Sequence, residues 1–170
     1  MKVIRGRHVF LAHAHEDRQL AEAVERLLRQ SLSPKCSVFR SSSDDAISMT
    51  QGIRETILSS HQDATVVVAL LTPHSFHRPW VMFESGGCYF QLDDARKAPT
   101  KHLIVTVANG LPAKALPGPL HGRNAGSLNS RRVVRQFATK VADLLGCHCR
   151  ADSSSVAIVA GCAAPLCQRA

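Results

Sequence analysis

Long apolar runs are absent from this sequence of 170 residues. The first apolar stretch, "VFLA", is too short for the hydrophobic core of a signal peptide. The longest uncharged stretch, "SSSVAIVAGCAAPLC" from Ser153, is too short to span a bilayer. We therefore expect a cytoplasmic protein without a membrane segment.

Aromatic and acidic residues are also scarce. Lys and Arg outnumber Asp and Glu by 21 to 13, and the formal net charge of +8 favours an anionic partner. The one basic cluster contains Arg131, Arg132 and Arg135, and no aromatic residue interleaves with it. Surfaces that bind single-stranded nucleic acid combine basic with aromatic side chains. The cluster is therefore predicted to be a solvated helix face, and direct nucleic-acid binding is not expected.

None of the six cysteines stands in the C-x2-C spacing typical of zinc sites. In a reducing cytosol they need not form disulfides either. Four of them follow residue 146, where the composition shifts abruptly to Ala, Ser and Cys. We therefore predict no metal site. We predict that residues 147–170 are a tail, flexible or the start of a further module, which folding does not require.

Short apolar runs alternate with amphipathic segments over residues 1–146. Predicted strands are His8 to Ala14, Cys36 to Phe39, Ala64 to Thr72, His102 to Val107, and a weak one near Gly126 to Leu128. Predicted helices follow Asp17 up to Ser31, surround Ile53 and Ile57, run from Pro79 to Phe90, and cover Val133 to Leu145. This alternation predicts an α/β fold with helices on both faces of a parallel sheet. We expect a flavodoxin-like three-layer sandwich of about five strands in the order 2-1-3-4-5.

A ligand of such a sheet binds beyond the carboxyl ends of the strands, where the strand order reverses. Two segments border that crevice, "AHAHED" (Ala12 to Asp17) and "TPHSFHRPW" (Thr72 to Trp80), and the loop "RSSSDDAISM" could fold over it. Glu84 stands four residues after Trp80, the only tryptophan, so the two share one side of a helix. The pattern therefore puts a carboxylate near the predicted crevice.

Three segments resemble, in order and spacing, successive boxes of a bacterial Toll/interleukin-receptor (TIR) domain. They are "VFLAHAHED", "VFRSSSDDAI" and "VVVALLTPHSFHRPWVMFESG", and the resemblance covers about residues 8–146. The W-x-x-x-E of Trp80 and Glu84 matches the segment that, in enzymatic TIR domains, holds the glutamate needed to cleave NAD. Ala12 and Ala14 stand where the family commonly has serines.

The resemblance implies an NAD+ nucleosidase, either a glycohydrolase or an ADP-ribosyl cyclase, with NAD+ as substrate and no further cofactor. It implies a role in antiphage defence or toxin-like signalling, and self-association in which a neighbouring copy completes the site. Glu84 is the catalytic candidate. The candidates for substrate binding are Trp80, His13, Ala14, His15, Ser41, Ser42, Ser43 and Phe76.

Each candidate also has an ordinary structural interpretation. Trp80 could pack in the core, Glu84 could be solvated, and the histidines and serines could be ordinary loop residues. Asp17 is interpreted as a helix N-terminal residue favoured by the macrodipole. The alternative function is a non-enzymatic module that docks other TIR domains. A phospho-receiver is rejected, because the third predicted strand ends in "LLTPHS" without an aspartate.

Overall fold

Five parallel strands form the centre of the fold. The computed structural model describes residues 7–41, 59–75, 78, 81, 101–114, 116, 120 and 124–165. The strands are β1 (Arg7–Ala12), β2 (Cys36–Arg40), β3 (Val66–Leu71), β4 (His102–Val107) and β5 (Ala125–Ser127). Their order is β2-β1-β3-β4-β5 and every neighbouring pair is parallel. The predicted fold class and strand order are therefore confirmed.

Strand β3 lies in the middle of the sheet, and all six of its residues are buried. It pairs with β1 through Val66 opposite Val9, and with β4 through Val66 opposite His102. Successive side chains of a strand point to opposite faces, so a strand covered on both faces needs a continuous apolar sequence. The run "VVVALL" meets this requirement. Val66, Val68 and Leu70 belong to one core cluster, whereas Val67 and Leu71 belong to two other clusters.

Two predicted helices pack on one face of the sheet. Helix α1 (Arg18–Ser31) and helix α2 (Arg131–Leu144) confirm the predictions for these segments. Their buried residues recur at helical spacing and share a core with Val9 and Leu11 of β1. On the other face, residues 59–63 are helical, and His61 meets the ring of Phe10 edge-on at 5.2 Å. Of the predicted helix from Pro79 to Phe90, the structure describes Val81, which is helical and buried.

The segment predicted to be a tail contains a third helix, α3 (Ser153–Ala163). The Asp152 side chain caps it, accepting hydrogen bonds from the backbone N–H groups of Ser154 (2.7 Å) and Ser155 (3.1 Å). Val156 and Val159 belong to the same core as α1 and α2. The segment after residue 146 therefore contains regular structure that packs on the core, and the domain boundary placed there stays a prediction. None of the helices that the structure describes is long and apolar enough to cross a bilayer.

Helix α3 offers a matched pair of substitutions that measures its contribution to stability. Val159 is fully buried, whereas the neighbouring Ile158 is 45% exposed. We expect Val159→Ala to lower the free energy of unfolding by about 1.5–3 kcal/mol, because it removes buried methyl groups and leaves a cavity in the core. Ile158→Ala should change it by less than about 0.5 kcal/mol. Urea unfolding followed by circular dichroism measures both, and equal values would mean that α3 does not pack on the core.

Candidate functional site

The polar segments that follow β1, β2 and β3 meet at the carboxyl edge of the sheet, where the strand order reverses. His13 and Ala14 follow β1 and lead into a 3-10 turn over His15–Asp17. Ser41 follows β2, and a turn from residue 72 to 75 follows β3. The other candidates lie outside the described residues, and their roles stay predictions: Ser42, Ser43, Phe76, Trp80 and Glu84.

His13 and Ser41 are brought together by the pairing of β1 with β2. His13 is 5% exposed, and its Nδ1 lies 3.3 Å from the Ser41 hydroxyl oxygen and 3.5 Å from the carbonyl oxygen of Leu11. The backbone N–H of Ser41 donates to that same carbonyl at 3.4 Å. Two residues that the sequence proposed for substrate binding, 28 positions apart, thus form one polar pair.

The environment of His13 keeps its imidazole neutral near pH 7. Burial is the main cause that lowers its pKa to about 4, and the nearby Arg40 and His15 add to this. The hydrogen bond with the Leu11 carbonyl and the charge of Glu25 act in the opposite direction. Arg40 is itself buried, and its Nε donates to a Glu25 carboxylate oxygen at 2.8 Å. His13 therefore brings no positive charge to this edge of the sheet near pH 7.

Ala14 and His15 occupy different environments. Ala14 is 4% exposed, and its carbonyl accepts the backbone N–H of Asp17 at 2.9 Å, which forms the turn before α1. Its methyl group cannot form a hydrogen bond. The Ala14 side chain therefore does not supply the hydrogen bond that the serine common in the family could form at this position. His15 is exposed on the 3-10 turn. Of the first-box candidates, His13 is the one packed against another candidate.

Asp17 and Thr72 tie β1 to β3 at the point where the strand order reverses. The Thr72 hydroxyl donates to a carboxylate oxygen of Asp17 at 2.6 Å and accepts the backbone N–H groups of His74 (3.1 Å) and Ser75 (3.3 Å). Asp17 is 3% exposed, and burial raises the pKa of its carboxyl, while the hydrogen bond from Thr72 opposes this shift. Asp17 does precede α1, as predicted, but its side chain makes no helix cap. It binds the turn after β3 instead.

A cleft of about 380 Å³ opens beside this tie. Glu16, Asp17 and His74 line one side of it, and Asn109 after β4 and Cys162 of α3 line another. Glu16 also forms an ion pair with Arg78, which links the loop after β1 to the loop after β3. The Glu16 carboxylate accepts a hydrogen bond from its own backbone N–H, and this bond and the Arg78 side chain lower the pKa of the carboxyl. The cleft has the size of small-molecule sites, which begin at about 300 Å³.

This sheet, with polar loops at its reversal point, defines a flavodoxin-like α/β domain. The family model of the TIR domain matches residues 9–145. The chain therefore belongs to the TIR domain family. No curated protein matches the sequence. Among the residues that the structure describes, no group of three His, Cys, Asp or Glu side chains could hold a metal ion.

The neutral state of His13 predicts a loss of stability in mild acid. The pKa in the unfolded chain is 6.5 and the folded value is about 4. Between these values the unfolded chain binds a proton that the folded protein does not, so stability is full above pH 6.5 and falls as pH drops toward 4. At about 1.4 kcal/mol per pKa unit, the loss is up to about 3 kcal/mol.

Urea unfolding at several pH values between 7 and 4 measures this loss. We expect His13→Gln to remove this pH-dependent loss of stability. The difference in the free energy of unfolding between wild type and the variant should therefore become smaller as the pH falls. The exposed His148→Gln serves as the control and should keep the pH dependence of wild type. Parallel curves for wild type and His13→Gln would contradict a buried neutral imidazole.

The hydrogen bonds of Thr72 predict that removing its hydroxyl lowers the free energy of unfolding more than removing the hydroxyl of Thr106, a second buried threonine. Thr72→Val removes the donor to Asp17 and the acceptor for two backbone N–H groups, so we expect a loss of about 2–4 kcal/mol in the free energy of unfolding. Thr106→Val on β4 removes one hydrogen bond, to the Ala69 carbonyl at 3.1 Å, and should cost about 1 kcal/mol. Denaturant unfolding at pH 7 compares them. Equal decreases in the free energy of unfolding would show that the Asp17–Thr72 contact contributes no more stability than a single ordinary hydrogen bond.

Proposed function

We propose that this TIR domain cleaves NAD+ at the bond between nicotinamide and ribose, with Glu84 as the catalytic carboxylate. The observation that carries the proposal is the W-x-x-x-E of Trp80 and Glu84 in a chain that belongs to the TIR domain family. The motif begins eight positions beyond Thr72, the residue that the Asp17 carboxylate binds at the sheet reversal. Ligands of flavodoxin-like sheets bind at that reversal.

The chemistry requires one carboxylate rather than two. Nicotinamide leaves NAD+ as a neutral molecule from a cationic pyridinium, so no general acid has to protonate it. Ordinary glycosidases, in contrast, use a pair of carboxylates. Positive charge develops on the ribose as the bond breaks, and a carboxylate fixed beside the sugar stabilises that charge. In the proposed mechanism Glu84 does this, while Trp80 shields the carboxylate and forms a flat wall for a ring.

The described residues of the carboxyl edge support binding of the remaining parts of NAD+. The His13–Ser41 pair offers hydrogen bonds for hydroxyl groups, and a neutral imidazole does not repel the cationic nicotinamide ring. Arg78 pairs with Glu16, and both side chains are partly exposed. Exposed ion pairs contribute little to stability, about 0–1 kcal/mol, so Arg78 can exchange Glu16 for the pyrophosphate. His15, Ala14, Ser42, Ser43 and Phe76 complete the proposed contact set.

We place this activity in the cytoplasm of a bacterial cell, as part of antiphage defence or toxin-like signalling. TIR domains commonly self-associate, and here a neighbouring copy is proposed to complete the site. The alternative is a TIR–TIR interaction module without chemistry. One observation favours it: Ala12 and Ala14, which replace the serines common in the family, are both buried and supply no hydroxyl group.

The test is nicotinamide release by wild type and Glu84→Gln over a wide range of protein concentration. Glu84→Gln keeps the size of the side chain and removes its charge. We expect it to lower the rate at least about a hundredfold, which corresponds to about 2.7 kcal/mol in the barrier. Asp143→Asn is the control for removal of a carboxylate charge, because Asp143 is exposed on α2. It should retain the rate of wild type.

The outcomes separate the two functions. Circular dichroism first establishes that each variant is folded, so that lost activity cannot come from unfolding. Equal release from wild type and Glu84→Gln would exclude the catalytic role of Glu84. No release from wild type, even at concentrations where light scattering detects oligomers, would favour the interaction module. Chromatography of the products distinguishes linear from cyclic ADP-ribose.

A further inference from the structure

Two cysteines lie side by side at the opposite, amino-terminal edge of the sheet. Cys36 is the first residue of β2, and Cys147 follows the turn that ends α2. Both are free and half-buried, and their sulfur atoms are 3.7 Å apart although 111 positions separate them in the sequence. The Cys36 thiol donates a hydrogen bond to the Cys147 sulfur. Two thiols in contact can be joined in a disulfide by exchange, and the thiolate is the form of cysteine that reacts in such exchange.

A cavity of about 580 Å³ gives access to Cys147. Arg7, Arg29 and Arg150 line it together with Cys147, and no carboxylate lines the part that the structure describes. Arg29 is bound by Glu25 at 2.8 Å, whereas Arg7 and Arg150 form no ion pair among the described residues. The cavity therefore carries positive charge beside a thiol. Small anionic reagents are concentrated by such a site.

We propose that Cys36 and Cys147 form a redox-active dithiol whose substrate is a small disulfide that carries carboxylate groups. The Cys147 thiolate attacks one sulfur of the small disulfide, forms a mixed disulfide and releases one small thiol, which takes up the Cys147 proton. Cys36 then attacks the sulfur of Cys147 and releases the second small thiol with the Cys36 proton. In total, two protein thiols are oxidised to one disulfide and one small disulfide is reduced to two thiols.

The order of attack follows from the environment of each cysteine. Cys147 lines the cavity, so the reagent reaches it first. Burial is the main cause that raises the pKa of Cys36, and the neighbouring Cys147 adds to the shift. Cys36 therefore keeps its proton until the mixed disulfide has formed beside it. The product links the start of β2 to the connection between α2 and α3, and a cross-link over so long a loop restricts the unfolded chain strongly.

Treatment of the full chain with glutathione disulfide tests this proposal, and the readouts do not depend on NAD+ cleavage. Mass spectrometry should show a short-lived glutathione adduct and then a mass decrease equal to two hydrogen atoms, and peptide mapping should assign the new bond to Cys36 and Cys147. We expect the thermal midpoint to rise by about 5 °C or more on oxidation and to return on reduction. A bond between other cysteines, or an unchanged midpoint, would overturn the proposal.

Two sets of variants assign the roles. Cys36→Ser should accumulate the glutathione adduct on Cys147, Cys147→Ser should lose the rapid reaction, and Cys149→Ser should behave as wild type. Arg7→Gln combined with Arg150→Gln should slow the reaction with glutathione disulfide about tenfold or more. The rate with the uncharged 2-hydroxyethyl disulfide should stay the same in this variant. An equal decrease for both reagents would show that the arginines act on the fold and not on the anion.

Discussion

The continuous burial of β3 is the constraint on which the rest of the structure depends. All six residues of β3 are buried, and the strand pairs with β1 on one side and β4 on the other, so that its faces and its edges are all covered. Because all pairs are parallel, the loops after β1, β2 and β3 meet at one edge. The buried hydrogen bond from Thr72 to Asp17 then fixes the distance between two of these loops. The position of the candidate site thus follows from the burial and pairing of β3.

The elements with strong periodicity could be predicted from the sequence, and helix α3 could not. Strands β3 and β4 are β-branched runs with clear ends, and α1 and α2 repeat large apolar residues at helical spacing. The residues of α3 are mostly Ser, Ala, Val, Gly and Cys, so its two sides differ little in hydrophobicity. Small side chains allow α3 to approach α1 and α2 closely. One local signal was present, an aspartate at the N-cap position before three serines.

The sequence could predict which edge of the sheet the described candidate residues occupy, but not the contacts that their side chains form. Strand order alone places His13 and Ser41 at one edge, and the structure puts them in contact. The tie between Asp17 and Thr72 joins residues 55 positions apart, and no local pattern distinguishes it from a helix N-terminal aspartate. The neutral charge state of His13 likewise depends on burial by the folded chain. Glu84 and Trp80 remain sequence predictions, since they lie outside the described residues.

Helix α3 connects the two edges of the sheet. Near its start, the Ser155 hydroxyl donates to the side chain of Gln30 at the end of α1, on the edge where Cys36 and Cys147 meet. At its end, the backbone N–H of Asn109 donates to the Ala163 carbonyl at 2.8 Å, and Cys162 lines the cleft beside Asp17. A helix of 11 residues is about 16 Å long and is rigid along its axis. The same helix therefore contacts α1 near one edge of the sheet and lines the cleft at the carboxyl edge.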